Sequence, residues 1–337
     1  MIEYLSRKVL HQFPAESAHD LSIKILSSPL SCLVNKKIHD NPVKLFGVKF
    51  PNPVGLAAGF DKNADAVSGL CKLGFGFIEV GTVTPKPQAG NPKPRLFRLP
   101  DNQAIINRMG FNNKGVDYLV EKLSNFKANI PIGINIGKNK ITTNEKAVED
   151  YLYCFNKVHH LADYVTINIS SPNTVDLRQL QQQDSLIKLL NELKNAQLQK
   201  AKYTPIVVKI APDQDENTTR TIAQTIKKSQ IDGIICTNTT IDKNNLKKES
   251  HQNETGGLSG KPLLSRSNKI ISIVRNEVGK DFPIIGVGGI LTEDDAMSKI
   301  SAGANLVQIY TGLIYQGQSL IERINTKLES YMKNKIT

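Results

Sequence analysis

The sequence predicts a (β/α)8 TIM barrel with a small helical extension at its amino end. From about residue 53 onward, eight short apolar runs rich in β-branched residues recur, and each is followed by a longer polar stretch that is compatible with a helix. Runs that are apolar throughout are typical of strands buried on both faces, and strands that alternate with helices form parallel sheets. Polar side chains follow almost every run, as expected where barrel strands end at one rim. A doubly wound open sheet also alternates strands and helices, but it does not need eight strands with polar tips.

The eight predicted strands follow one another along most of the chain. They are residues 53–59, 75–83, 130–137, 164–171, 205–212, 233–240, 283–290 and 306–313. We therefore divide the chain into an amphipathic helical domain, residues 1–40, and a barrel domain, residues 41–337. The insert from Thr84 to Asn113 is too long for a routine loop, so we expect it to act as a lid. The Lys-, Asn- and Gly-rich loop from about Ile241 to Lys261 is a candidate second mobile flap.

The segment 1–40 carries the apolar spacing of two short amphipathic helices separated by Pro14. The apolar positions, three or four residues apart, are Ile2, Leu5, Val9 and Phe13, then Ala18, Leu21 and Ile25. Such helices either cap an end of the barrel or face lipid and admit a ligand, and the pattern leaves both alternatives open. Positive and negative charges are nearly balanced here, so any attraction to a membrane would come from the apolar faces.

The composition describes a soluble globular protein, with 39% hydrophobic and 22% charged residues among 337. The formal net charge of +12 favours an anionic partner, which could be nucleic acid, a membrane surface or a small molecule. The four cysteines are far apart and form no CxxC pair, so neither a metal site nor a disulfide is predicted, and a reduced cytosolic setting fits. No apolar run is long enough to span a bilayer, so we expect any membrane contact to be peripheral.

Glycine and lysine residues at strand ends indicate a cofactor with an anionic group. The last two strands end in "GVGGI" (286–290) and "YTG" (310–312), the usual position of a phosphate site in this fold. Lys62 and Lys209 lie at the ends of two other strands and suit an anion or an electron-accepting ring such as a flavin. Four asparagines offer amide groups suited to a ring with alternating N–H and C=O edges, such as a pyrimidine. They are Asn107, Asn168, Asn173 and Asn238.

The turn "NISSPNT", residues 168–174, supplies the candidate base. Ser171 is selected because the turn contains no cysteine, histidine or acidic residue. Serine is a poor base in water, so it needs a dry pocket and a proton acceptor beyond it, such as Thr174 or a chain of water molecules. No GxSxG elbow surrounds Ser171, and a hydrolase triad is therefore not supported.

These motifs together resemble the dihydroorotate dehydrogenase family over almost the whole chain. In order they are "AAGFDKNA", "EVGTVTPKPQAGNPKPRLFRLP", "INRMGFNN", "GINIGKNK", "NISSPNT", "VVKIAPD", "TNTT", "GGLSGKPL" and "IIGVGGI". The chain is most similar to the class 2, membrane-associated, quinone-reducing branch. Ser171 stands where class 1 enzymes carry a cysteine, and "FPAESAH" resembles the extra helical domain of that branch. The middle residue of "YTG" is Ser in many relatives, but Thr keeps the hydroxyl.

The resemblance implies an FMN cofactor and the residues that contact it. These are Ala58, Gly59, Phe60, Asp61, Lys62, Thr82, Asn135, Asn168, Lys209, Thr237, Gly260, Gly289, Tyr310 and Thr311. It also implies the residues that bind dihydroorotate, which are Lys62, Asn107, Arg108, Met109, Gly110, Phe111, Asn168, Asn173, Asn238 and Thr239. Ser171 would be the base that removes the C5 proton while C6 delivers a hydride to the flavin.

The same resemblance implies the partners of the enzyme. Dihydroorotate would be oxidised to orotate in pyrimidine biosynthesis, and a membrane quinone would enter between the N-terminal helices. The protein would contact the cytoplasmic face of the cell membrane peripherally and bind neither nucleic acid nor metal. A tRNA dihydrouridine synthase is a rival FMN barrel, but it would require a cysteine proton donor and an RNA-binding domain, and neither is visible. A non-catalytic scaffold docked on membranes is the second rival, and it would be colourless when purified.

Overall fold

The computed structural model describes residues 8–244 and 246–336. The strands in these ranges are β1 (Val43–Leu45), β2 (Val48–Phe50), β3 (Val54–Leu56), β4 (Phe77–Val83), β5 (Leu96–Leu99), β6 (Ala104–Asn107), β7 (Ile132–Ile136), β8 (Tyr164–Asn168), β9 (Ile206–Ile210), β10 (Gly233–Cys236), β11 (Gly257–Gly260), β12 (Ile284–Val287) and β13 (Leu306–Ile309). The α-helices are α1 (Ala15–Leu26), α2 (Val67–Leu70), α3 (Val116–Ser124), α4 (Ala147–Val158), α5 (Gln183–Leu198), α6 (Glu216–Lys228), α7 (Leu264–Val278), α8 (Glu293–Ala302), α9 (Thr311–Gln316) and α10 (Ser319–Ile336).

Eight of the strands close into a parallel barrel in the order β3-β4-β7-β8-β9-β10-β12-β13. Every residue of these strands is buried, because one face packs inside the barrel and the other lies under the helices. The register pairs Asn168 at the end of β8 with Lys209 on β9, so the polar strand ends meet at one rim. Each predicted strand contains one barrel strand. The (β/α)8 barrel is thus confirmed, and the open sheet is excluded.

A hairpin that was not predicted from the sequence covers the amino end of the barrel. β1 and β2 pair antiparallel across Phe46 and Gly47, whose φ angles are 35° and 83°, as in a two-residue hairpin turn. The Phe50 and Phe77 ring centroids lie 5.1 Å apart, and those of Phe46 and Tyr164 lie 5.6 Å apart. This aromatic cluster closes the barrel at the end opposite the polar rim.

The insert from Thr84 to Asn113 contains regular structure that the sequence did not predict. Its strands β5 and β6 pair antiparallel, and β6 pairs with β11 from the region expected to form a second flap. Phe97 and Leu258 pack in a small core of their own within this sheet. The insert and part of the second flap therefore form one three-stranded sheet beside the barrel. Their mobility stays a prediction.

The second of the two predicted N-terminal helices is confirmed as α1, which begins directly after Pro14. Residues 8–10, at the end of the first predicted helix, are helical, while Ile2 and Leu5 lie outside the described residues. α1 packs closely on α2, because a Cβ on Gly69 would lie 2.2 Å from the Leu26 carbonyl oxygen. Over residues 8–244 and 246–336, no helix combines the length and the apolar character needed to cross a membrane.

Candidate active site

A cavity opens at the carboxyl ends of the barrel strands, beside the three-stranded sheet of β5, β6 and β11. Its empty volume, with the solvent-filled mouth included, is about 1070 Å³. Most residues selected from the sequence line it. They are Ala58, Gly59, Lys62, Thr82, Asn107, Met109, Gly110, Phe111, Asn168, Ser171, Asn173, Lys209, Thr237, Asn238, Thr239, Gly260, Gly289, Tyr310 and Thr311.

Four selected residues do not line the cavity, namely Phe60, Asp61, Arg108 and Asn135. The Phe60 ring packs on the Tyr310 ring at a centroid distance of 5.8 Å. The Asp61 carboxylate accepts from the backbone N–H of Ala66 at 2.7 Å, so it shapes the loop after β3. Arg108 turns away and pairs with Glu254 at 2.6 Å. Asn135 lies directly behind Thr82 and Asn168, which do line the cavity.

One side of the cavity, the amide wall, consists of polar side chains on neighbouring strand ends and loops: Thr82, Asn107, Asn168, Ser171, Asn173 and Asn238. Asn168 Nδ2 donates to Thr82 Oγ1 at 3.0 Å, and Asn168 Oδ1 accepts from Asn238 Nδ2 at 3.2 Å. Behind them, Thr82 Oγ1 donates to Asn135 Oδ1 at 2.5 Å. This chain of bonds fixes which way each amide faces, so the wall is organised before a ligand arrives.

Ser171 lies in the turn after β8 and is only 6% exposed. Its Oγ accepts from the backbone N–H of Asn173 at 3.2 Å, and Asn173 Nδ2 donates to Asn107 Oδ1 at 3.0 Å. The serine turn is thereby joined to β6 of the insert. Thr174 Oγ1 is buried and finds no hydrogen-bond partner in the described part of the chain. Burial keeps most of the solvent away from Ser171, a condition that a serine base would require.

Arg178, which was not selected from the sequence, clamps the backbone next to the amide wall. Its Nε donates to the Ser170 carbonyl at 3.1 Å, and a terminal nitrogen donates to the Thr239 carbonyl at 3.0 Å. Another terminal nitrogen pairs with Asp213 at 2.8 Å. One planar guanidinium therefore fixes the Ser171 turn relative to the end of β10. Nothing in the sequence marks this arginine, since its role depends on loops from three strands.

The two lysines that line the cavity lie in different environments. Lys62 Nζ donates to the Gly59 carbonyl at 2.8 Å, and burial lowers the pKa of Lys62 to about 8, with the nearby Arg95 charge acting in the same direction. Lys209 on β9 is 6% exposed. Burial lowers the pKa of Lys209 as well, while the Glu79 carboxylate opposes that effect.

Glu79 belongs to a polar layer inside the barrel that was missed in the sequence. Its carboxylate accepts from Asn135 Nδ2 at 2.7 Å, Tyr164 OH at 3.0 Å and Gln308 Nε2 at 2.8 Å. Gln308 also lines the cavity, and its Oε1 is buried with no hydrogen-bond partner among the residues described. The signal was available, because a charged or amide residue inside a strand buried on both faces needs a partner there.

A second part of the cavity lining, the glycine wall, consists of four glycines with the two residues that precede the last of them: Gly260, Gly288, Gly289, Tyr310, Thr311 and Gly312. Gly289 has a φ of +84°, and a Cβ there would lie 2.4 Å from Leu264 Cα. Thr311 begins α9, and its Oγ1 lies 2.9 Å from Ser259 Oγ. In this fold, Gly-rich ends of the last two strands bind phosphate through backbone N–H groups.

No cluster of His, Cys, Asp or Glu suited to a metal ion occurs within residues 8–244 and 246–336, and all four cysteines are free thiols.

A polar cavity at the carboxyl end of a closed parallel barrel is the active site of a (β/α)8-barrel enzyme. A family model described as dihydroorotate dehydrogenase matches residues 42–332. A protein of Idiomarina loihiensis named dihydroorotate dehydrogenase (quinone) is 52% identical over 96% of this chain and 99% of its own. The chain belongs to the dihydroorotate dehydrogenase family.

Other relatives and solved structures agree with this membership. The Dechloromonas aromatica protein of the same name is 48% identical, with 100% of both chains covered. The crystal structure of a ligand-free DHODH from Eimeria tenella is similar with a TM-score of 0.89 and 39% identity, covering 95% of this chain and 96% of that one. Members of the family are flavin-dependent oxidoreductases. The tRNA-modifying and scaffold alternatives are therefore set aside.

Proposed function

We propose that this chain oxidises (S)-dihydroorotate to orotate in pyrimidine biosynthesis, with FMN in the cavity and a membrane quinone as the final electron acceptor. Its relatives named dihydroorotate dehydrogenase (quinone) support the reaction. One observation carries the assignment to this cavity: the amide wall and the glycine wall line the same space. A substrate ring with polar edges and a phosphorylated flavin thus have complementary places side by side.

The residues present fit a flavin mononucleotide. The glycine wall suits its phosphate, and Lys209 supplies a buried positive charge next to the ring. Gln308 Oε1 is a buried acceptor that requires a donor, and a ring N–H would satisfy it. When bound, the flavin would supply an acceptor for a hydride, that is two electrons and one proton, and a route for the two electrons to the quinone. We keep the predicted FMN contacts as part of this proposal.

The amide wall would hold the substrate ring. Each asparagine side chain offers one acceptor and two donors, and the existing bonds leave part of this capacity for the N–H and C=O edges of dihydroorotate. The Lys62 ammonium would pair with the substrate carboxylate. Residues 109–111 of the insert would cover the ring from the side of the three-stranded sheet. Holding both edges and the carboxylate aligns C5 and C6 with their acceptors.

Ser171 would act as the base. Its Oγ takes the proton from C5, while the hydrogen on C6 leaves with its electron pair towards the flavin. The backbone N–H of Asn173 donates to the same Oγ and stabilises negative charge there as the seryl proton departs. Thr174, whose buried hydroxyl has no partner in the part of the chain described, is the nearest candidate in sequence to accept that proton.

The function is tested on the purified full chain. Anaerobic mixing with dihydroorotate should bleach the flavin absorption bands, and turnover with a quinone should form orotate. A protein with bound flavin that dihydroorotate does not bleach contradicts the proposed substrate. A protein purified without flavin, and unable to bind added FMN, contradicts the proposed cofactor.

We further propose that residues 1–40 form a domain that contacts the cytoplasmic face of the cell membrane and admits the quinone, with the barrel in residues 41–337. Large apolar side chains are exposed along this segment: Val9 (58%), Phe13 (45%), Leu21 (39%), Ile25 (37%), Leu30 (56%) and Leu33 (78%). Exposed apolar residues concentrated in one helical segment favour an interfacial membrane contact.

Single substitutions test this contact. Leu33→Asp should weaken sedimentation with vesicles and slow turnover with long-chain quinones, whereas Leu198→Asp, at a leucine of α5 that is 63% exposed, should change neither. A chain that begins at residue 41 should still be reduced by dihydroorotate. This deletion is the harsher test, because it removes Glu16, whose carboxylate lies 2.9 Å from the guanidinium of the buried Arg95 (6% exposed). Unchanged vesicle binding and quinone kinetics in the Leu33 variant and the shortened chain would contradict the membrane role.

A further inference from the structure

Lys299 on α8 is a fully buried lysine, 0% exposed, and the reaction proposed above does not use it. Its Nζ donates to Ser267 Oγ at 2.9 Å and to Asn268 Oδ1 at 3.0 Å. Both partners are neutral, and no ion pair to Lys299 occurs among residues 8–244 and 246–336. A buried ammonium without an opposite charge is costly, so its presence requires a physical reason.

The contacts of Lys299 lead to the back of the glycine wall. Ser267 Oγ, which accepts from Lys299, donates to the Val287 carbonyl at 2.8 Å. Val287 directly precedes Gly288 of the wall. Ser267 also lies on the first turn of α7, the turn that Gly289 packs against through Leu264. One side chain therefore separates the buried charge from the backbone that forms the predicted phosphate site.

Among the groups around Lys299, the Asp295 carboxylate favours the charged form of the lysine, but burial has the larger effect. The Cys236 thiol of β10 is buried, which raises its pKa and keeps it uncharged. Asp295, one turn earlier on α8, accepts from the backbone N–H groups of Leu291 and Thr292 at 2.9 Å each, so it caps its own helix. Arg275 of α7 is a second cation and donates to the Gly303 carbonyl at 2.9 Å. Burial lowers the pKa of Lys299 to about 7.

We propose that Lys299 is a positioning residue for the phosphate site, where its charge, placed behind the glycine wall, attracts the phosphate group of the flavin. This inference rests on the proposed FMN cofactor. A neutral side chain would join Ser267 and Asn268 without the cost of burying a charge, so joining α7 to α8 does not account for a lysine. A bound phosphate accounts for the buried lysine, because two opposite charges attract each other more strongly where little water lies between them.

The affinity for FMN should depend on pH through Lys299. In the flavin-free protein Lys299 is largely protonated only below about pH 7, and a phosphate nearby raises its pKa. Binding of FMN above that pH therefore takes up a proton, and the affinity for FMN falls as the pH rises from about 7 to about 9. Riboflavin lacks the phosphate, so its affinity should not share this fall. Lys62 and Lys209 also titrate, but FMN and riboflavin have the same ring, so these two lysines should affect the affinity for both flavins alike.

The experiment compares FMN with riboflavin in the full-length protein. Flavin release from the purified holoprotein is followed by fluorescence on dilution, before and after the bound flavin is exchanged for riboflavin. Lys299→Gln keeps a donor for Ser267 and removes the charge. We expect it to weaken FMN binding roughly tenfold and riboflavin binding by no more than about twofold. Lys269→Gln, on the exposed face of α7, is the matched control and should change neither.

Three outcomes would count against the inference. An equal loss of FMN and riboflavin in Lys299→Gln shows a purely structural lysine. If that variant does not fold, a ratio of FMN to riboflavin affinity that stays constant in the wild type from about pH 7 to about pH 9 overturns the inference by itself. A wild-type protein that binds neither flavin contradicts the proposed function, and the inference with it.

Discussion

The amide wall and the glycine wall line the same cavity, but they present different parts of the chain to it. On the amide wall, side chains are held by other side chains, as where Asn168 bonds Thr82 and Asn238. At the glycines of the glycine wall, the backbone lies so close to other residues that a Cβ would collide with them, as at Gly289. A substitution therefore removes a group from the first wall and adds one to the second. A substitution on the amide wall should impair substrate binding or the chemical step while the flavin stays bound, and a substitution on the glycine wall should impair flavin binding itself.

The largest effect is expected for Gly289→Ala. Its φ of +84° is unfavourable for alanine, and the added methyl group would lie 2.4 Å from Leu264 Cα, which belongs to the backbone and cannot swing away. We expect the variant to lose its flavin and to be destabilised by about 3 kcal/mol or more. The flavin-to-protein ratio and thermal unfolding measure the two effects.

Gly47→Ala is the matched control for that variant. Gly47 has nearly the same φ, +83°, but a Cβ there meets nothing within 4 Å. Its cost should be confined to the backbone, about 1 kcal/mol, with full flavin content. Equal loss of flavin in both variants would contradict the special role of the glycine wall.

Ser171→Ala should have the second largest effect, and it should act on the chemical step. We expect flavin reduction by dihydroorotate to slow by roughly a hundredfold or more, with flavin content and substrate binding nearly unchanged. Single-turnover absorbance measurements separate the rate of flavin reduction from substrate binding. Ser259→Ala is the control serine beside the glycine wall, where the hydroxyl contacts Thr311 at 2.9 Å. Wild-type reduction rates in Ser171→Ala would make "NISSPNT" a structural turn.

The two walls also differ in how well the sequence predicted them. Many cavity residues lie at strand ends. Ser171, Lys209 and Gly289, which were selected from the ends of the eight apolar runs, therefore line the cavity. The apolar runs do not predict which side chains outside the strand ends hold the cavity residues in place. Arg178 acts through loops that meet only in the closed barrel, and Lys299 lies on an outer helix whose polar residues are ordinarily solvent-exposed. The hairpin β1–β2 and strand β5 of the insert were missed because Lys44, Lys49 and Arg98 interrupt their apolar residues, so these strands are not apolar throughout as the barrel strands are.

Arg178→Lys should have a smaller effect on the same chemical step. Lysine can keep the ion pair with Asp213 but cannot reach both the Ser170 and Thr239 carbonyls with one planar group. We expect flavin reduction to slow roughly tenfold with substrate affinity nearly unchanged, because the base is misplaced rather than removed. A larger deuterium isotope effect from C5 than in the wild type would identify proton removal as the affected event.

A surface ion pair provides the control for Arg178. Arg220 pairs with Glu277 at 2.5 Å between α6 and α7, in the outer helical layer. Arg220→Lys should leave the reduction rate and the isotope effect at their wild-type values. If it slows reduction as much as Arg178→Lys does, the effect reflects general stability and not the position of the Ser171 turn.

The smallest effect is expected in the pH dependence of substrate binding, which we attribute to Lys62. Burial, assisted by the charge of Arg95, lowers the pKa of Lys62 to about 8, so its ammonium is complete below that pH and is lost as the pH rises above it. A ligand carboxylate that pairs with Lys62 should bind most tightly below about pH 8 and more weakly above it. Orotate titrations followed through the flavin spectrum measure this. In Lys62→Arg the charge no longer titrates in this range, so the dependence should disappear even if the affinity is lower. If the affinity still falls with rising pH in Lys62→Arg, another group titrates, and Lys62 is not the partner of the substrate carboxylate.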